Sequence, residues 1–377
     1  MALPSRTLTR SLTGFGRSSL RQAIVLTCAV LVAQPAAWGQ ASGLDRAILT
    51  ASSPLDAAKT TALKEFVTRS TGPLADSTDP AEITAARNAL TEPARDPSAT
   101  PIFRRSYSTA VLAELKPVVA GDDLRRAVNA MQVVRFLRSP EAVELLADRL
   151  SPSSETNPSK RLAAASILAA ALTDAELSPV QFDGITRDLV AASASEKDDQ
   201  VLVQQIKALV AIERRANLPA ASAEAAQAGQ AKVFAALVNS VAAAPKADPR
   251  MASVARALVM LRNQWLDLSR PQAMKLGPSL GRPIGAVLEI ADRHWETARS
   301  DPEVQAAYEI AVATSETLLR LVDRTLRPNA YPAPKPGVKD DEARALASSW
   351  NGNMKDAFSA EVKRWMGILS AAPYVAK

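Results

Sequence analysis

The segment 277–281 reads Gly-Pro-Ser-Leu-Gly and fits the G-x-S-x-G pattern of a serine nucleophile placed on a strand-to-helix turn. Asp292 and His294 follow it and have the residue types of the other two members of a catalytic triad. Residues 272–276 do not read as a buried strand, and on a helix Asp292 and His294 would diverge by about 200 degrees. We therefore interpret residues 277–283 as a loop between helices and predict no hydrolase site.

Metal-binding candidates are few. His294 is the only histidine, and the only cysteine, Cys28, lies in an apolar run near the N-terminus. A zinc site would need mostly carboxylate ligands, which is uncommon for that metal. The acidic groups at 198–199 and 340–342 lack the alternating ligand spacing of a calcium loop, so we interpret them as helix caps. His294, beside Trp295, is interpreted as a partly buried residue with a local hydrogen bond.

Nucleotide and nucleic-acid binding have no support in the sequence. Neither G-x-x-x-x-G-K-[ST] nor G-x-G-x-x-G occurs. The net charge of +6 depends largely on four arginines in the first 39 residues, which contain no acidic residue; without them 41 basic residues face 39 acidic ones. The remaining basic residues alternate with acidic ones and form no stripe that could neutralise phosphates. We predict no catalytic, cofactor-binding or metal-binding residue and no nucleic-acid partner.

Four tryptophans lie in the C-terminal third, at positions 265, 295, 350 and 365. Rigid aromatic side chains of this kind can form a carbohydrate-binding or peptide-binding surface. Their spacing is also that of apolar residues on the inner face of helices. The second interpretation, a structural core, is favoured.

The N-terminus has the order of a secretory signal peptide. An arginine-bearing segment without acidic residues precedes an apolar run of eleven residues, Ala23–Ala33, and small residues follow. Cleavage is expected near Gly39/Gln40, so residues 1–39 are predicted to be removed and the chain to be exported to the periplasm or the extracellular space. The run is shorter than the roughly 18 residues of a membrane-spanning helix, although an uncleaved N-terminal membrane anchor remains the alternative.

The rest of the chain predicts an all-α protein, because alanine and leucine dominate and glycine and proline lie mainly at joints. A helical array is predicted over residues 40–327, a proline-rich linker over 328–339 and one C-terminal helix, 340–369 within segment 340–377, packing back on the array. Prolines 73 and 117 are expected to end helices, segment 92–101 to be a loop, and the alanine-rich stretch before Val233 to be a linker. The i,i+4 pairs Glu316–Arg320 and Asp323–Arg327 are expected on a solvated face.

The most regular stretch is 122–212, in which apolar residues recur at helical spacing. Helix starts at Asp122, Asn157, Asp198 and Asp248 are 35, 41 and 50 residues apart. Segment 122–128 reads Asp-Asp-Leu-Arg-Arg-Ala-Val, and Pro-Glu-Ala-Val opens a second helix at 140. In these features the stretch resembles the HEAT repeat family, which implies a right-handed α-solenoid of antiparallel hairpins with a concave binding surface. A non-repetitive helical bundle is the alternative, because the later intervals drift.

These features together favour an exported, non-enzymatic helical-repeat protein that acts as a protein-interaction or structural scaffold in the cell envelope. Its protein partner and its oligomeric state are not encoded in any motif. The alternative is an envelope hydrolase or carbohydrate-binding protein whose site combines scattered carboxylates with the C-terminal tryptophans. No stable membrane span is expected after cleavage of the leader.

Overall fold

A computed structural model describes residues 43–331 and 345–375, and this part of the chain is helical without strands. The predicted all-α class is confirmed. The predicted signal peptide with Cys28, most of the proline-rich linker and the acidic residues 340–342 lie outside the described residues.

The helices within the described ranges have the following bounds: α1 Arg46–Leu49, α2 Ala57–Asp76, α3 Pro80–Arg95, α4 Pro101–Ala120, α5 Leu124–Val134, α6 Pro140–Ala147, α7 Pro158–Ala171, α8 Pro179–Ser193, α9 Asp199–Glu213, α10 Ala220–Ala242, α11 Met251–Asp267, α12 Arg270–Arg293, α13 Trp295–Arg299, α14 Pro302–Leu326, α15 Ala345–Asn351 and α16 Lys355–Leu369. A short 3₁₀ turn, Pro328–Ala330, follows α14.

The helices contact one another in two layers. In the first layer, α2, α4, α6, α8, α10, α12 and α16 contact in that order. In the second layer, α3, α5, α7, α9, α11, α14 and α15 do the same. One apolar core cluster between them runs from Leu44 to Tyr374. Each helix thus buries one face against the other layer and its flanks against its own layer, as an amphipathic helix in a packed array must.

Three helices of the second layer, α5, α7 and α9, start at polar residues whose side chains cap them. The carboxylate of Asp123, not that of Asp122, accepts the backbone N–H of Arg126 at 2.9 Å and caps α5. Asn157 caps α7 and Asp198 caps α9 in the same way. Asp248 does not cap a helix directly, since α11 begins at Met251 after Arg250. Local capping chemistry therefore located two of the four predicted starts at the named residue and a third one residue later.

Two prolines expected to end helices, and one proline of the predicted loop 92–101, lie inside helices. Helices α2 and α4 continue past Pro73 and Pro117, and α3 passes Pro93 to end at Arg95. A proline loses one backbone hydrogen bond, but these three lie near helix C-termini, where few bonds remain to be disrupted. Buried residues beyond the prolines, Leu74 and Val119, hold the last turns against the core. Tertiary packing thus outweighs the local breaking signal.

Two predicted linkers are also helical. The alanine-rich stretch before Val233 belongs to α10, consistent with the high helix propensity of alanine, and the predicted loop 277–283 lies inside α12. Conversely, the single C-terminal helix predicted from residue 340 is interrupted. Helices α15 and α16 are separated at Asn353, whose φ of 56° is left-handed. Asparagine tolerates this conformation better than most residues, which lets the chain turn there.

Candidate functional site

The three residues of the hydrolase pattern do not share a hydrogen-bond network. The Oγ of Ser279 donates to the backbone carbonyl of Leu276 at 2.7 Å, inside α12. Asp292 accepts a hydrogen bond from Ser359 at 2.5 Å. His294 lies at the junction of α12 and α13, and its Nδ1 is 3.2 Å from the hydroxyl of Tyr308. Each of the three side chains forms its hydrogen bond with a different partner, so together they do not form a nucleophile, base and acid.

The glycines of the same pattern have a packing role. Gly277, Gly281 and Gly285 recur every fourth residue of α12 and lie on one face. A Cβ at Gly277 would be 3.0 Å from the side chain of Leu326, one at Gly285 would be 2.5 Å from that of Leu369, and one at Gly281 would overlap the ring of Tyr374. The glycines therefore let α14 and the C-terminal segment approach α12 closely. Residues 277–283 are therefore part of a helical packing face rather than the predicted loop.

The C-terminal tryptophans are buried. Trp295, Trp350 and Trp365 are at most 2 % exposed, and Trp265 is 6 % exposed. Trp295 and Trp350 meet edge to face with ring centroids 4.8 Å apart, and Phe358 packs against both. The guanidinium of Arg299 lies over both indole rings and donates to the backbone carbonyl of Trp350 at 2.8 Å. These side chains form core, in agreement with their helical spacing.

The ring of His294 is enclosed by the protein, with the hydroxyl of Tyr308 beside its Nδ1. Burial lowers the pKa of His294 below its ordinary value, and the nearby charge of Arg293 adds to the shift. The backbone of Ala244 and the charge of Asp248 offset part of this shift. The histidine is more deeply buried than predicted, at 4 % exposure, and the neutral ring is the form that this environment favours.

Two carboxylates expected on a solvated face of α14 are buried instead. Glu316 is 1 % exposed and accepts the backbone N–H groups of Leu346 and Ala347 at 3.1 and 2.9 Å, at the start of α15. Asp323 is fully buried and accepts from Arg327, from Tyr331 and from Tyr374, each at 2.7 Å. Both pairs lie on one helix, as predicted, but the prediction of a solvated face is wrong, because α15 and Tyr374 cover this face.

Burial acts differently on these two carboxylates. Burial raises the pKa of Glu316, and the two backbone hydrogen bonds offset only part of this effect. Burial alone would raise the pKa of Asp323 as well, but the hydrogen bonds from Arg327, Tyr331 and Tyr374 outweigh it and hold the pKa below its ordinary value. In turn, burial and the hydrogen bond to Asp323 raise the pKa of Tyr331 to about 12. The Asp323 cluster is therefore ionic with neutral tyrosines at neutral pH.

A second buried ion pair joins Arg161, at the start of α7, to Glu196 in the loop before α9. Arg161, in the first turn of α7, donates to both carboxylate oxygens of Glu196 at 2.6 and 2.9 Å. The same guanidinium donates to the backbone carbonyls of Glu155 and Thr156 in the loop before α7. Burial raises the pKa of Glu196, but the Arg161 hydrogen bonds and two backbone N–H groups outweigh this and lower it. This pair fastens the loop before α7 to the loop before α9.

The acidic residues at 198–199 also have structural roles. Asp198 accepts the backbone N–H groups of Gln200 and Val201 as the cap of α9. Asp199 accepts from the hydroxyl of Ser253 and from the side chain of Gln200, which links α9 to α11. Within residues 43–331 and 345–375, no group of three or more His, Cys, Asp or Glu side chains is placed to hold a metal ion. In the same ranges, no helix has both the length and the apolar character needed to cross a bilayer.

The surface feature with the clearest ligand-binding character is a groove between α2, α4 and α5, which we call the acidic groove. It has a volume of about 460 Å³. Its polar lining includes four carboxylates and one guanidinium, contributed by Asp76, Glu114, Asp122, Asp123 and Arg126. The sequence does not indicate this groove, because Pro73 and Pro117 predict helix ends, whereas the helical turns that contain or border them help to form its walls.

Internal bonds hold the walls of the acidic groove in place. Arg126 donates to the backbone carbonyl of Ala75 at 2.6 Å, and its Nε lies 3.6 Å from Asp123. The hydroxyl of Thr68 donates to Glu114 at 3.3 Å and so connects α2 with α4. Thr71 lies in the lining, is 3 % exposed, and its hydroxyl has no hydrogen-bond partner. Hydrogen bonds thus connect the walls of the groove, while the hydroxyl of Thr71 is left without a partner.

A scan against known protein families gives no match, and a search of curated proteins finds no significantly similar sequence.

Proposed function

We propose that the chain is an exported, non-enzymatic helical-repeat protein, built as a right-handed HEAT-like array, that serves as a protein-interaction scaffold in the cell envelope. The observation that carries this proposal is the ordered contact of helices in two layers. Stacked hairpins produce this pattern, because each hairpin contacts mainly its neighbours in the array. A non-repetitive bundle of hairpins would share the helix content without requiring equivalent contacts from one hairpin to the next.

Such an equivalent contact recurs in the part that resembles HEAT repeats. Arg126 lies three residues after the cap of α5 and donates to the backbone carbonyl of Ala75, at the end of α2. Lys160 lies three residues after the cap of α7 and donates to the carbonyl of Gly121 at 2.6 Å, just after α4. In two successive hairpins, the basic residue three positions after the helix cap thus binds a backbone carbonyl at the end of an earlier helix. This equivalence supports a repeat origin for the two hairpins.

The interaction role is supported by the surface rather than by any reactive site. The candidate catalytic residues are bound to separate structural partners, and a groove open to solvent lies among α2, α4 and α5. The alternative function, an envelope hydrolase or carbohydrate-binding protein, would use exposed tryptophans beside carboxylates. The four C-terminal tryptophans are buried, so no observation favours it.

Site-specific photo-crosslinking in the native cells tests the scaffold proposal. A benzophenone amino acid would replace four exposed apolar residues, one each on α5, α8, α11 and α14: Leu124, Val180, Leu266 and Ile310. A bound protein partner should give an adduct of discrete mass at one or more of these positions, and unirradiated cells provide the control. The absence of an adduct at all four positions would contradict the scaffold role. N-terminal sequencing of the same protein tests export, which fails if Met1 is retained.

A further inference from the structure

We propose that the acidic groove binds an arginine or lysine side chain on an extended segment of a partner protein, with an apolar residue of that segment beside it. This inference rests on the proposed scaffold function and specifies the partner chemistry at one site. Its first basis is charge. Of the four carboxylates in the groove, Asp76 and Asp122 make no ion pair or hydrogen bond within the described part of the chain.

The only cation in the lining is already used inside the protein. Arg126 is held by the carbonyl of Ala75 and by Asp123, so its charge is turned towards the wall of the groove. Helices α2 and α4 both end at the groove, at Asp76 and Ala120, and the C-terminus of a helix carries partial negative charge. Arg126 and Lys160 already bind backbone carbonyls at these two helix ends. The unpaired carboxylates of Asp76 and Asp122 therefore favour a cationic group from outside.

The interior of the groove provides polar acceptors. The hydroxyl of Thr71 is buried in the lining without a partner, although buried hydroxyls are normally hydrogen-bonded. Glu114 lies on the facing helix and receives only the long bond from Thr68. A guanidinium or ammonium group has several N–H donors and no acceptor, so it can satisfy these oxygens together. The volume of about 460 Å³ lies in the range of known small-ligand clefts.

An apolar surface lies directly beside the charge. A shallow depression of about 560 Å³ shares Asp123 with the acidic groove and is otherwise lined by Leu124, Arg125, Val128 and Asn129. Leu124 is 38 % exposed and, together with Val128, gives this depression apolar surface. A partner segment that places a basic residue in the groove would present its neighbouring side chain to Leu124 and Val128. The occupant is therefore a mixed basic and apolar segment.

A divalent cation fits the groove less well. No three carboxylates among the described residues come close enough to hold a metal ion, and calcium sites use six to eight oxygen ligands at short range. The four carboxylates are distributed along the groove on three elements, as expected for contacts with a chain rather than with a point charge.

The test uses two fluorescein-labelled peptides of eight residues in a glycine and serine background. One contains two arginines flanking a leucine, and the other has glutamates in place of the arginines. Binding is measured by fluorescence anisotropy at low and at physiological ionic strength. The arginine peptide should bind, with an affinity that falls as salt increases, because partly exposed charges are screened. The glutamate peptide should not bind.

The groove variant combines Asp76→Asn and Asp122→Asn, two exposed residues that cap no helix. It should weaken binding of the arginine peptide about tenfold, as expected for the loss of two partly exposed charge contacts. Thr71→Val, which keeps the shape and removes the hydroxyl, should weaken it by about threefold. The matched control, Glu289→Gln with Glu309→Gln, removes two exposed carboxylates on α12 and α14 and should leave the affinity unchanged.

Unchanged circular dichroism establishes that each variant is folded. The inference is overturned if the arginine peptide does not bind, if the groove variant binds it as the parent does, or if the glutamate peptide binds equally. Stoichiometric calcium binding that displaces the peptide would also overturn it. Crosslinks at Val180 or Leu266 without peptide binding would refute this site while leaving the scaffold function in place.

Discussion

The central hairpins and the C-terminal helices both bury carboxylates, but they use them differently. In the central hairpins, Glu196 lies in the joint before α9 and pairs with Arg161 at the start of α7. The bond connects neighbouring joints on the same side of the layers. In the C-terminal part, Asp323 and Glu316 of α14 bind residues on the far side of segment 332–344, including Tyr374 and the start of α15.

The difference separates contacts that can recur between neighbouring hairpins from contacts that are made once, at the C-terminal helices. Contacts between adjacent joints can be repeated from hairpin to hairpin, as the contacts of Arg126 and Lys160 are. At the C-terminal end of the two layers, the outer face of α12 and α14 is covered by other means. Helices α15 and α16 cover it, and two buried carboxylates with a stripe of glycines on α12 fix their position. The comparison predicts that the two regions respond differently to substitution.

The largest expected effect is at the central ion pair. Glu196→Ala leaves the guanidinium of Arg161 buried without its charge partner, since both side chains are less than 10 % exposed. Breaking a buried pair in this way should lower the free energy of unfolding by about 3–5 kcal/mol. Urea denaturation followed by far-ultraviolet circular dichroism measures it.

The control for this prediction is the double variant Glu196→Met with Arg161→Met, which removes both charges. It should recover part of the lost stability, because an apolar pair leaves no unpaired buried charge. A double variant less stable than Glu196→Ala would show that the carbonyl contacts of Arg161, rather than its pairing with Glu196, hold the joint.

The next effect is at Asp323. Asp323→Asn removes the charge that Arg327, Tyr331 and Tyr374 share, and should cost about 1.5–3 kcal/mol at pH 7, because Arg327 remains partly solvated. Four of the five tryptophans lie in α11–α16. Tryptophan fluorescence should therefore show an earlier urea transition in this variant than circular dichroism does. Coincident transitions would show that the C-terminal helices unfold together with the rest.

The pH dependence of this difference provides a second check. The pKa of Asp323 is below its ordinary 3.8, so its stabilising contribution is present above 3.8 and is lost as the pH falls through the folded-state value. The difference in the free energy of unfolding between the parent and Asp323→Asn should therefore decrease as the pH falls. Glu316→Gln is the contrast. Since the pKa of Glu316 is raised above 4.5, the parent should become more stable relative to this variant as the pH falls. Equal pH slopes for the two variants would contradict the assigned pKa directions.

The smallest effects come from a matched pair of glycines and should have opposite signs. Gly281→Ala on α12 places a methyl group against the ring of Tyr374 and should cost about 1–3 kcal/mol. Gly184→Ala on α8 has its nearest neighbour at 3.9 Å and should stabilise by about 0.5–1 kcal/mol through helix propensity. Thermal unfolding of both variants measures the difference. Destabilisation by Gly184→Ala would show a tightly packed site there too.

Much of the fold could be read from local chemistry. The helical class, most helix starts and the inner faces of α5, α7, α8, α9 and α11 follow from apolar spacing and capping residues. The positions of the tryptophans in the core follow from the same spacing. Local signals failed at Pro73, Pro117 and the segment 277–283, where neighbouring helices supply enough packing to keep a proline-containing turn helical.

The sequence alone determined that this chain is helical and which side of most helices is apolar, because both properties depend on neighbours within a few residues. Tertiary structure alone decided that the face of Glu316 and Asp323 is buried, that Gly277 and Gly281 serve helix packing, and that α2, α4 and α5 enclose an acidic groove. These features join residues tens of positions apart. Only the packing of the layers determines which of those distant residues meet, and with them which charges are left to face solvent.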